Sequence, residues 1–388
     1  MKMLLQVRQA AMLPWYAAQL FTGTKSFEQN PVIASRRMNQ WGLHAARVRH
    51  AYRLALARRR KLTRMIPADD REAFDRDGFV LRLGFLPAQQ FAALLDEIRA
   101  YRGPLRETAE GDTVIRKIAL IGPVLARLPT LDAVLRSVAW RGLIRYVGGR
   151  NTEPVVWVQS ILRHARPGPS DPQAALHADT FHPTVKAWLF LTDVAEDAGP
   201  FTYVPGSHRL TAARLAWEQR MSLLARDSAN TETRQGSFRI DPADLPALGL
   251  PPPRAFAVPA NTLIVADTFG FHARGPSADQ SLRVEIWAYG RRIPFLPLAA
   301  LLPWTTAALG WRSVVWWKIG DLREAAGGRK NPWRQRTGGS AFDPAAAETP
   351  SPGRGSPTGH NKDMRDLDQM PPEPRGEPAP ALSSQTQV

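Results

Sequence analysis

Four short segments rich in β-branched and aromatic residues constrain the fold of this chain more than any other feature. They lie at residues 155–162, 187–192, 262–266 and 282–289, and each is bounded by Gly, Pro, Asn or Asp. This pattern predicts β-strands. Because no helical pattern alternates with them, the four segments favour an antiparallel sandwich or barrel over a doubly wound sheet.

Composition divides the chain into four regions. Residues 1–64 contain 13 Lys and Arg but a single acid, Glu28, and the helical spacing over 44–62 predicts a basic helical arm. Residues 65–292 have the mixed patterning of a folded body, and the apolar, Trp-rich residues 293–326 predict a helical segment. Pro, Gly and Ser dominate from residue 327 onwards, which predicts a disordered tail over 327–388.

Two features bear on localisation and partners. Residues 293–311 carry no charge and are long enough to span a bilayer, but three prolines disfavour a straight spanning helix. No signal peptide is evident, because Arg8 interrupts the first apolar run. We therefore expect a cytoplasmic protein, with peripheral contact between the basic arm and an anionic membrane as an open alternative. Nucleic acid is the weaker alternative partner, because the arm contains no recognised motif.

The chain contains no cysteine, so a transition metal would have to be bound by imidazole and carboxylate groups. Five of the eight histidines lie between residues 164 and 272. His177 and Asp179 are two positions apart, so on a strand their side chains would point to the same side and could share one metal ion. Such a pair alone is a weak signal, because short His-x-Asp patterns also arise by chance.

His272 is the best candidate for a third ligand, since it follows the strand predicted at 262–266. Eleven residues later, Arg283 lies on a predicted strand whose other face is apolar, and a buried arginine is costly unless it meets a carboxylate. Two histidines and one carboxylate would leave three positions open on Fe(II) for a chelating co-substrate and dioxygen. Arg283 would then bind the far carboxylate of a dicarboxylate chelator.

Three runs of this sequence carry a family resemblance: EAFDRDGFVLRLGFLP at 72–87, HADTFHPTVKAWLFLTDVAEDAGPFTYVPGSH at 177–208 and FHARGPSADQSLRVEIWAY at 271–289. These runs resemble the phytanoyl-CoA dioxygenase-like family of Fe(II)- and 2-oxoglutarate-dependent oxygenases. The resemblance covers roughly residues 70–290. It implies a mainly β fold, with a double-stranded β-helix (jelly-roll, cupin-like) core over 65–292 and flanking α-helices.

The same resemblance implies a site and an activity. His177, Asp179 and His272 match the family's iron ligands, and Arg283 matches its 2-oxoglutarate arginine. The implied cofactors are Fe(II), 2-oxoglutarate as co-substrate and O2. Halogenating relatives carry a small residue where Asp179 stands, so this chain is expected to hydroxylate a small or lipid-like substrate with release of succinate and CO2.

Lys186 interrupts an otherwise apolar stretch shortly after the candidate metal pair. We predict that Lys186 contacts 2-oxoglutarate as a further cofactor-binding residue. Alternatively, Lys186 contacts the substrate, or solvent and other side chains satisfy it without a functional role. The neighbouring His182 has the same possibilities: contact with 2-oxoglutarate, contact with the substrate, or no functional role.

A non-catalytic protein is the second hypothesis. In that case the β-helix would be a scaffold, and the basic arm would bind an anionic membrane or nucleic acid. Loss of Asp179 or Arg283 among close relatives would favour the scaffold, and retention of both would favour the enzyme. Neither the substrate nor the oligomeric state is indicated by the sequence.

Overall fold

A computed structural model describes residues 12–166, 168–169, 171–277, 280–290, 293–295 and 303–344. Most of the expected tail, residues 345–388, lies outside the described residues, as do residues 296–302 of the expected Trp-rich segment. Within the described ranges, two antiparallel sheets and a series of helices form the body that contains the candidate site.

Eleven strands are present in the described part of the chain. They are β1 (Phe79–Arg82), β2 (Leu105–Glu110), β3 (Thr113–Ala119), β4 (Val155–Arg163), β5 (Val185–Phe190), β6 (Phe201–Tyr203), β7 (Arg254–Phe256), β8 (Thr262–Asp267), β9 (His272–Arg274), β10 (Ser281–Gly290) and β11 (Arg334–Arg336). Eight of them form one sheet in the order β1-β8-β5-β10-β4-β3-β2-β11, and three form a second sheet in the order β7-β6-β9. All pairings in both sheets are antiparallel.

Helices precede, separate and follow the strands. The α-helices of the described residues are α1 (Leu13–Ala18), α2 (Arg36–Gln40), α3 (Leu43–Leu62), α4 (Ala68–Asp77), α5 (Ala88–Ala100), α6 (Gly122–Leu125), α7 (Pro129–Arg136), α8 (Val138–Val147), α9 (Ala212–Leu224), α10 (Thr231–Arg234) and α11 (Pro303–Ala325). Short 3-10 helices lie at Gln19–Phe21, Thr63–Met65, Pro172–Ala174, Ala225–Asp227, Pro242–Asp244 and Pro246–Leu248. Among the described residues, no helix combines the length and the apolar character needed to cross a membrane.

Capping residues define several of these helix ends. Helix α8 begins after Ser137, whose hydroxyl accepts a hydrogen bond from the Trp140 amide, and Thr211 caps α9 in the same way. Helix α4 ends at Gly78, which has a φ of 88°. A side chain there would collide with the ring of His208, so the turn from α4 into β1 requires glycine.

Strand β10 pairs with β4 on one side and β5 on the other, and both of its faces are buried. Val284 and Ile286 pack against residues of helices α5, α7 and α8. Trp287 packs on the opposite face with aromatic residues of β6 and β7, which belong to the smaller sheet. Because side chains alternate along a strand, Arg283 and Glu285 share the face of Trp287, which is directed between the two sheets.

The structure confirms the four strands and the antiparallel pairing that the sequence predicts, but it does not confirm a mainly β fold. Helices contain more of the described residues than strands do, so the chain has a mixed α and β architecture. The physical reason is that the large sheet buries an apolar face on each side. Helices α4 to α8 cover one of these faces, and their apolar residues join the same core as β5, β8 and β10.

Residues 1–11 of the expected arm lie outside the described residues, whereas α3 and the segment before it pack on the body. Val48, Ala51 and Ala55 of α3 are buried, and the buried Arg59 donates to Asp267 Oδ2 over 2.7 Å. Upstream of α3, Phe27 is buried in a cluster with residues of the 238–248 segment. The helical prediction over 44–62 is confirmed, whereas a domain boundary at residue 64 remains a prediction.

Residues 327–344, which the composition assigns to the disordered tail, are part of the folded structure. Strand β11 pairs with β2 at the edge of the large sheet, and Trp333 is buried. Arg116 of β3 donates to the carbonyl oxygens of Ser340 and Asp343, over 2.8 Å in each case. Hydrogen bonds from a buried arginine thus order a segment that has few apolar side chains of its own.

Candidate metal centre

Three potential metal ligands meet at one buried point. One ligand atom from each of His177, Asp179 and His272 lies within 4.8 Å of the other two. Asp179 Oδ1 is 3.7 Å from His177 Nε2 and 3.6 Å from His272 Nε2. The structure therefore brings together the three ligands predicted from the sequence. His177 forms only single-residue β-bridges, to Arg239 and His272, and does not lie on a longer strand.

Hydrogen bonds determine the tautomer of both histidines. His177 Nδ1 is 2.8 Å from the carbonyl oxygen of Ala175, and His272 Nδ1 is 3.0 Å from that of Gly270. Because a carbonyl oxygen can only accept, each Nδ1 must carry the proton, which leaves the lone pair on Nε2. His177 Nε2 is buried and has no hydrogen-bond partner among the described residues. Both lone pairs face Asp179, which is the arrangement a metal ion requires.

Burial keeps both imidazoles neutral. It lowers the pKa of His177 well below the ordinary value, and the positive charge of Arg239 lowers it further. Burial also lowers the pKa of His272, although the Asp179 carboxylate opposes the shift. Neutral imidazole is the form that binds a metal, so the environment favours the ligand state of both side chains.

The backbone of residues 177–179 is bonded to neighbouring segments. His177 and His272 exchange two amide-to-carbonyl hydrogen bonds of 3.0 and 2.9 Å, which hold the two histidines opposite each other. The Asp179 amide donates to the carbonyl oxygen of Thr268 over 3.0 Å. These bonds fix the spacing of the three ligands before any metal is bound.

Lys186 of β5 is in direct contact with the Asp179 carboxylate. Its Nζ is 2.6 Å from Asp179 Oδ2 and 3.5 Å from His272 Nε2. The two oxygens of Asp179 thus have different surroundings, because Oδ1 faces the histidines and Oδ2 faces the ammonium group. His182, the other residue singled out near the pair, is buried with its Nδ1 2.9 Å from the carbonyl oxygen of Pro183.

Arg283 of β10 lines the same cavity as His177, His272 and Lys186. Its Nε is 2.9 Å from Glu285 Oε2, and its Nη1 donates to the carbonyl oxygen of Gly199. Burial lowers the pKa of Arg283, and the Glu285 carboxylate opposes that shift. The carboxylate that a buried arginine requires is therefore supplied two residues along the same strand.

The cavity has a volume of about 580 Å³ including its open mouth. Trp188, Phe201 and Trp287 supply aromatic walls, whereas Lys117 and Gln159 add polar groups. Lys117 Nζ lies 4.5 to 5.1 Å from the ring centres of three tryptophans, at positions 157, 287 and 333. A buried set of two histidines and one carboxylate is the donor set typical of non-haem Fe(II) oxygenases, and here it lies in one cavity with an arginine.

Sequence reasoning missed Lys117, Gln159 and Glu285. Gln159 donates to Glu285 Oε1 over 2.8 Å, and Glu285 is fully buried. Two of the three carried a readable signal: Gln159 is polar within the predicted strand 155–162, and Glu285 is two residues from Arg283 on the same strand face. Lys117 gave none, because the strand that carries it was not predicted.

Comparisons with known proteins agree with this class. Residues 74–236 match the family model described as phytanoyl-CoA dioxygenase (PhyH). The chain is similar to the ectoine dioxygenase of Bordetella bronchiseptica, with 31% identity over 169 residues that cover 38% of this chain and 52% of that protein. The ectoine dioxygenase of Bordetella parapertussis matches with the same identity and coverage. The chain spans about half the length of the curated relatives it matches.

Solved structures give more distant likenesses. The epimerase SnoN, described in complex with Fe3+, alpha ketoglutarate and nogalamycin RO, has a TM-score of 0.38 and 20% identity over 57% of this chain and 81% of that chain. HygX from Streptomyces hygroscopicus, described with nickel and 2-oxoglutarate bound, has a TM-score of 0.37 and 17% identity over 58% of this chain and 87% of that chain.

Residues 74–236 match the family model of phytanoyl-CoA dioxygenase, which agrees with the resemblance seen in the sequence. His177 and Asp179 lie inside the matched residues, whereas His272 and Arg283 follow them. The structure therefore joins ligands from the matched and unmatched parts of the chain in one site. The individual roles of these residues remain predictions.

Proposed function

We propose that the chain is an Fe(II)- and 2-oxoglutarate-dependent oxygenase that hydroxylates a small or lipid-like substrate with release of succinate and CO2. One observation carries the proposal: two neutral histidines present Nε2, and Asp179 presents Oδ1, to one buried point. The proposed fold of the core is a double-stranded β-helix with flanking helices. The two antiparallel sheets, which bury aromatic residues between them, support it.

The proposed metal ligands are His177, Asp179 and His272. Their donor set of two imidazole nitrogens and one carboxylate oxygen suits Fe(II) and leaves coordination positions for a co-substrate and dioxygen. When bound, iron with 2-oxoglutarate and O2 would supply the oxidising chemistry. The protein holds the ligands in place through the paired amides of His177 and His272 and through the two Nδ1 hydrogen bonds.

Arg283 is the proposed partner of the far carboxylate of 2-oxoglutarate. Glu285 and the Gly199 carbonyl oxygen hold its guanidinium group at Nε and Nη1; among the described residues Nη2 has no hydrogen-bond partner, so it can donate to a ligand in the cavity. A guanidinium group fixed in this way loses little conformational freedom when it binds an anion.

For Lys186 the contact with Asp179 Oδ2 supports a role in orienting that carboxylate. If the ammonium group occupies Oδ2, Asp179 can offer the metal only Oδ1, which preserves a coordination position for the co-substrate. Direct contact between Lys186 and 2-oxoglutarate is the alternative, since Lys186 also lines the cavity.

The cavity wall favours a substrate that combines a flat or apolar part with a polar group. Three aromatic side chains offer stacking surfaces, and Lys117 adds a positive charge. The test is incubation of the iron-loaded protein with 2-oxoglutarate and a host cell extract, followed by mass spectrometry for products heavier by one oxygen. Succinate release that requires extract and disappears in Asp179→Ala supports the proposal. No succinate release and no metal binding in the wild type would contradict it.

A second proposal, reversible binding to anionic membranes, is supported by the outer face of α3. Arg49, Arg53 and Arg60 are exposed on one side of this helix, and Arg64 follows in the same line. The helix contains no acidic residue, and none of the four arginines forms an ion pair with a described residue. Each basic residue that reaches an acidic bilayer contributes about 1 kcal/mol.

Exposed aromatic side chains favour a membrane over nucleic acid. Phe21 is 72% and Trp41 is 69% exposed in the same N-terminal region. Replacing Arg49, Arg53, Arg60 and Arg64 with Gln should abolish sedimentation with anionic vesicles. Replacing four exposed arginines that already pair with acids (Arg76, Arg82, Arg136 and Arg334) removes the same charge and should not. Equal loss in both variants, or binding to RNA but not to vesicles, would contradict the membrane proposal.

A further inference from the structure

The segment that carries the metal ligands is anchored through each of its three carbonyl oxygens. The His177 carbonyl oxygen accepts from the His272 amide over 2.9 Å. The Ala178 carbonyl oxygen accepts from Ser237 Oγ over 2.9 Å, and the Asp179 carbonyl oxygen accepts from Lys25 Nζ over 2.7 Å. The third anchor comes from the N-terminal region, 154 positions away along the chain.

Lys25 is held at this point by the segments on both sides of it. The Thr24 carbonyl oxygen accepts from Arg47 Nη2 of α3 over 2.7 Å, and the Phe27 amide donates to the carbonyl oxygen of Arg234 over 2.8 Å. The chain also passes very close to Gly236, which has a φ of 80° and where a side chain would collide with the Lys25 carbonyl oxygen. The approach of Lys25 to Asp179 is therefore built into the backbone.

The burial of Lys25 indicates that this contact matters. Lys25 is only 5% exposed, although most lysines keep the ammonium group in water. Burying a charged group is costly unless strong hydrogen bonds replace its hydration. The Asp179 carbonyl oxygen supplies one such bond, and a charge-assisted hydrogen bond is shorter and stronger than a neutral one.

We infer that Lys25 is a positioning residue for Asp179, so that the N-terminal region completes the metal centre. The identity of the metal rests on the proposed function, whereas the positioning of Asp179 does not. Lys25 precedes residues 74–236, which match the family model, so the hydrogen bond that supports Asp179 comes from the N-terminal region outside that match. Residues that orient metal ligands typically change metal affinity about 10- to 100-fold when they are replaced.

Two matched substitutions separate the hydrogen bond from simple packing. Lys25→Met removes the donor and keeps the length of the side chain, whereas Lys25→Gln keeps a neutral donor. Co(II) affinity, measured by titration without turnover, should fall about tenfold or more in Lys25→Met and recover substantially in Lys25→Gln. Arg36→Met, which replaces an exposed basic residue of the same region, should bind Co(II) like the wild type.

A second measurement on the metal-free protein keeps the inference independent of the proposed function. Hydrogen exchange of residues 175–181 should be faster in Lys25→Met than in the wild type or in Arg36→Met. Wild-type Co(II) affinity and wild-type exchange in Lys25→Met would overturn the inference. Equal loss in Lys25→Met and Lys25→Gln, together with a general loss of exchange protection, would also overturn it by showing a packing role. A wild type that binds no Co(II), with exchange still faster in Lys25→Met, would refute the proposed function and support the positioning role.

Discussion

The two ends of the cavity offer opposite chemistry to a ligand. At the metal end, His177 and His272 present lone pairs, and Asp179 presents a carboxylate oxygen. Arg283 lies farther along β10, six residues from Tyr289, the register partner of Lys186, and it presents N–H donors whose charge Glu285 balances. A dicarboxylate carries only acceptors, so it can bind directly to the arginine but can bind the three candidate ligands His177, Asp179 and His272 only through a cation. In the proposed function, this difference is the reason why 2-oxoglutarate would need a metal ion at one end and Arg283 at the other.

The largest expected effect comes from removing the carboxylate of the metal end. Asp179→Ala leaves only two neutral imidazoles as ligands. Replacing a residue that merely orients a metal ligand lowers metal affinity by up to about 100-fold, so loss of the ligand itself should lower it by more, and turnover should be lost. Co(II) titration and succinate release check both outcomes. Because alanine also leaves the Lys186 ammonium group buried beside no carboxylate, Asp179→Ala/Lys186→Met is the folding control. Metal binding that persists in both variants would contradict the assignment of Asp179 as a metal ligand.

Arg283→Met should affect the opposite end and leave the metal end nearly intact. Truncating one partner of a buried charge pair costs about 2–5 kcal/mol, which corresponds to a tens-fold or larger rise in the Michaelis constant for 2-oxoglutarate. Fe(II) affinity without 2-oxoglutarate should stay close to that of the wild type. Since the change also leaves Glu285 without its ion pair, Arg283→Met/Glu285→Gln separates lost binding from lost stability. Unchanged affinity for 2-oxoglutarate would point to Lys186 as its partner.

Lys186→Met tests whether this lysine orients Asp179 at the metal end or binds 2-oxoglutarate. If Lys186 orients Asp179, the loss of its 2.6 Å contact should weaken Co(II) binding about tenfold before any 2-oxoglutarate is added. The control is Lys117→Met, which removes another buried lysine of the cavity. Normal Co(II) binding combined with weaker 2-oxoglutarate binding would assign Lys186 to the co-substrate, as the sequence predicts.

The smallest expected effect is in the pH dependence of metal binding. Burial lowers the pKa of both His177 and His272, so both should remain neutral as the pH falls from 7.5 to 6.5. Co(II) affinity should then change less than about twofold, whereas two histidines of ordinary pKa would each be half protonated at pH 6.5 and lower the affinity about threefold over this interval. Affinity should fall only at lower pH, as the lowered pKa values are reached. A loss of affinity of about threefold or more by pH 6.5 would show that burial does not keep the imidazoles neutral.

The metal end was predictable from the sequence because short local patterns agreed with a family resemblance. His177 and Asp179 are two positions apart, His272 follows the strand predicted at 262–266, and Arg283 lies near the start of the strand predicted at 282–289. The central strands were predictable for the same reason, since β4, β5, β8 and β10 are rich in β-branched and aromatic residues. Patterns within about ten residues were sufficient for this part of the fold.

Features that depend on contacts distant in sequence were not predictable. The bond from Lys25 to Asp179 joins residues 154 positions apart, and one lysine in a basic region forms no pattern. The order of residues 327–344 depends likewise on Arg116, more than 200 positions upstream. Helices α7 and α8 were missed because they are short, although their apolar residues cover a face of the large sheet.

The central claim is that one cavity binds a metal at one end and 2-oxoglutarate across to the other. Anaerobic titration of the wild type with Fe(II) and 2-oxoglutarate tests it most directly, because a bidentate keto-acid chelate of Fe(II) has a weak visible charge-transfer band. The band should appear with both components, be absent in Asp179→Ala, and require much more 2-oxoglutarate in Arg283→Met. A wild type that binds Fe(II) at micromolar concentration but shows no band at saturating 2-oxoglutarate would contradict the claim.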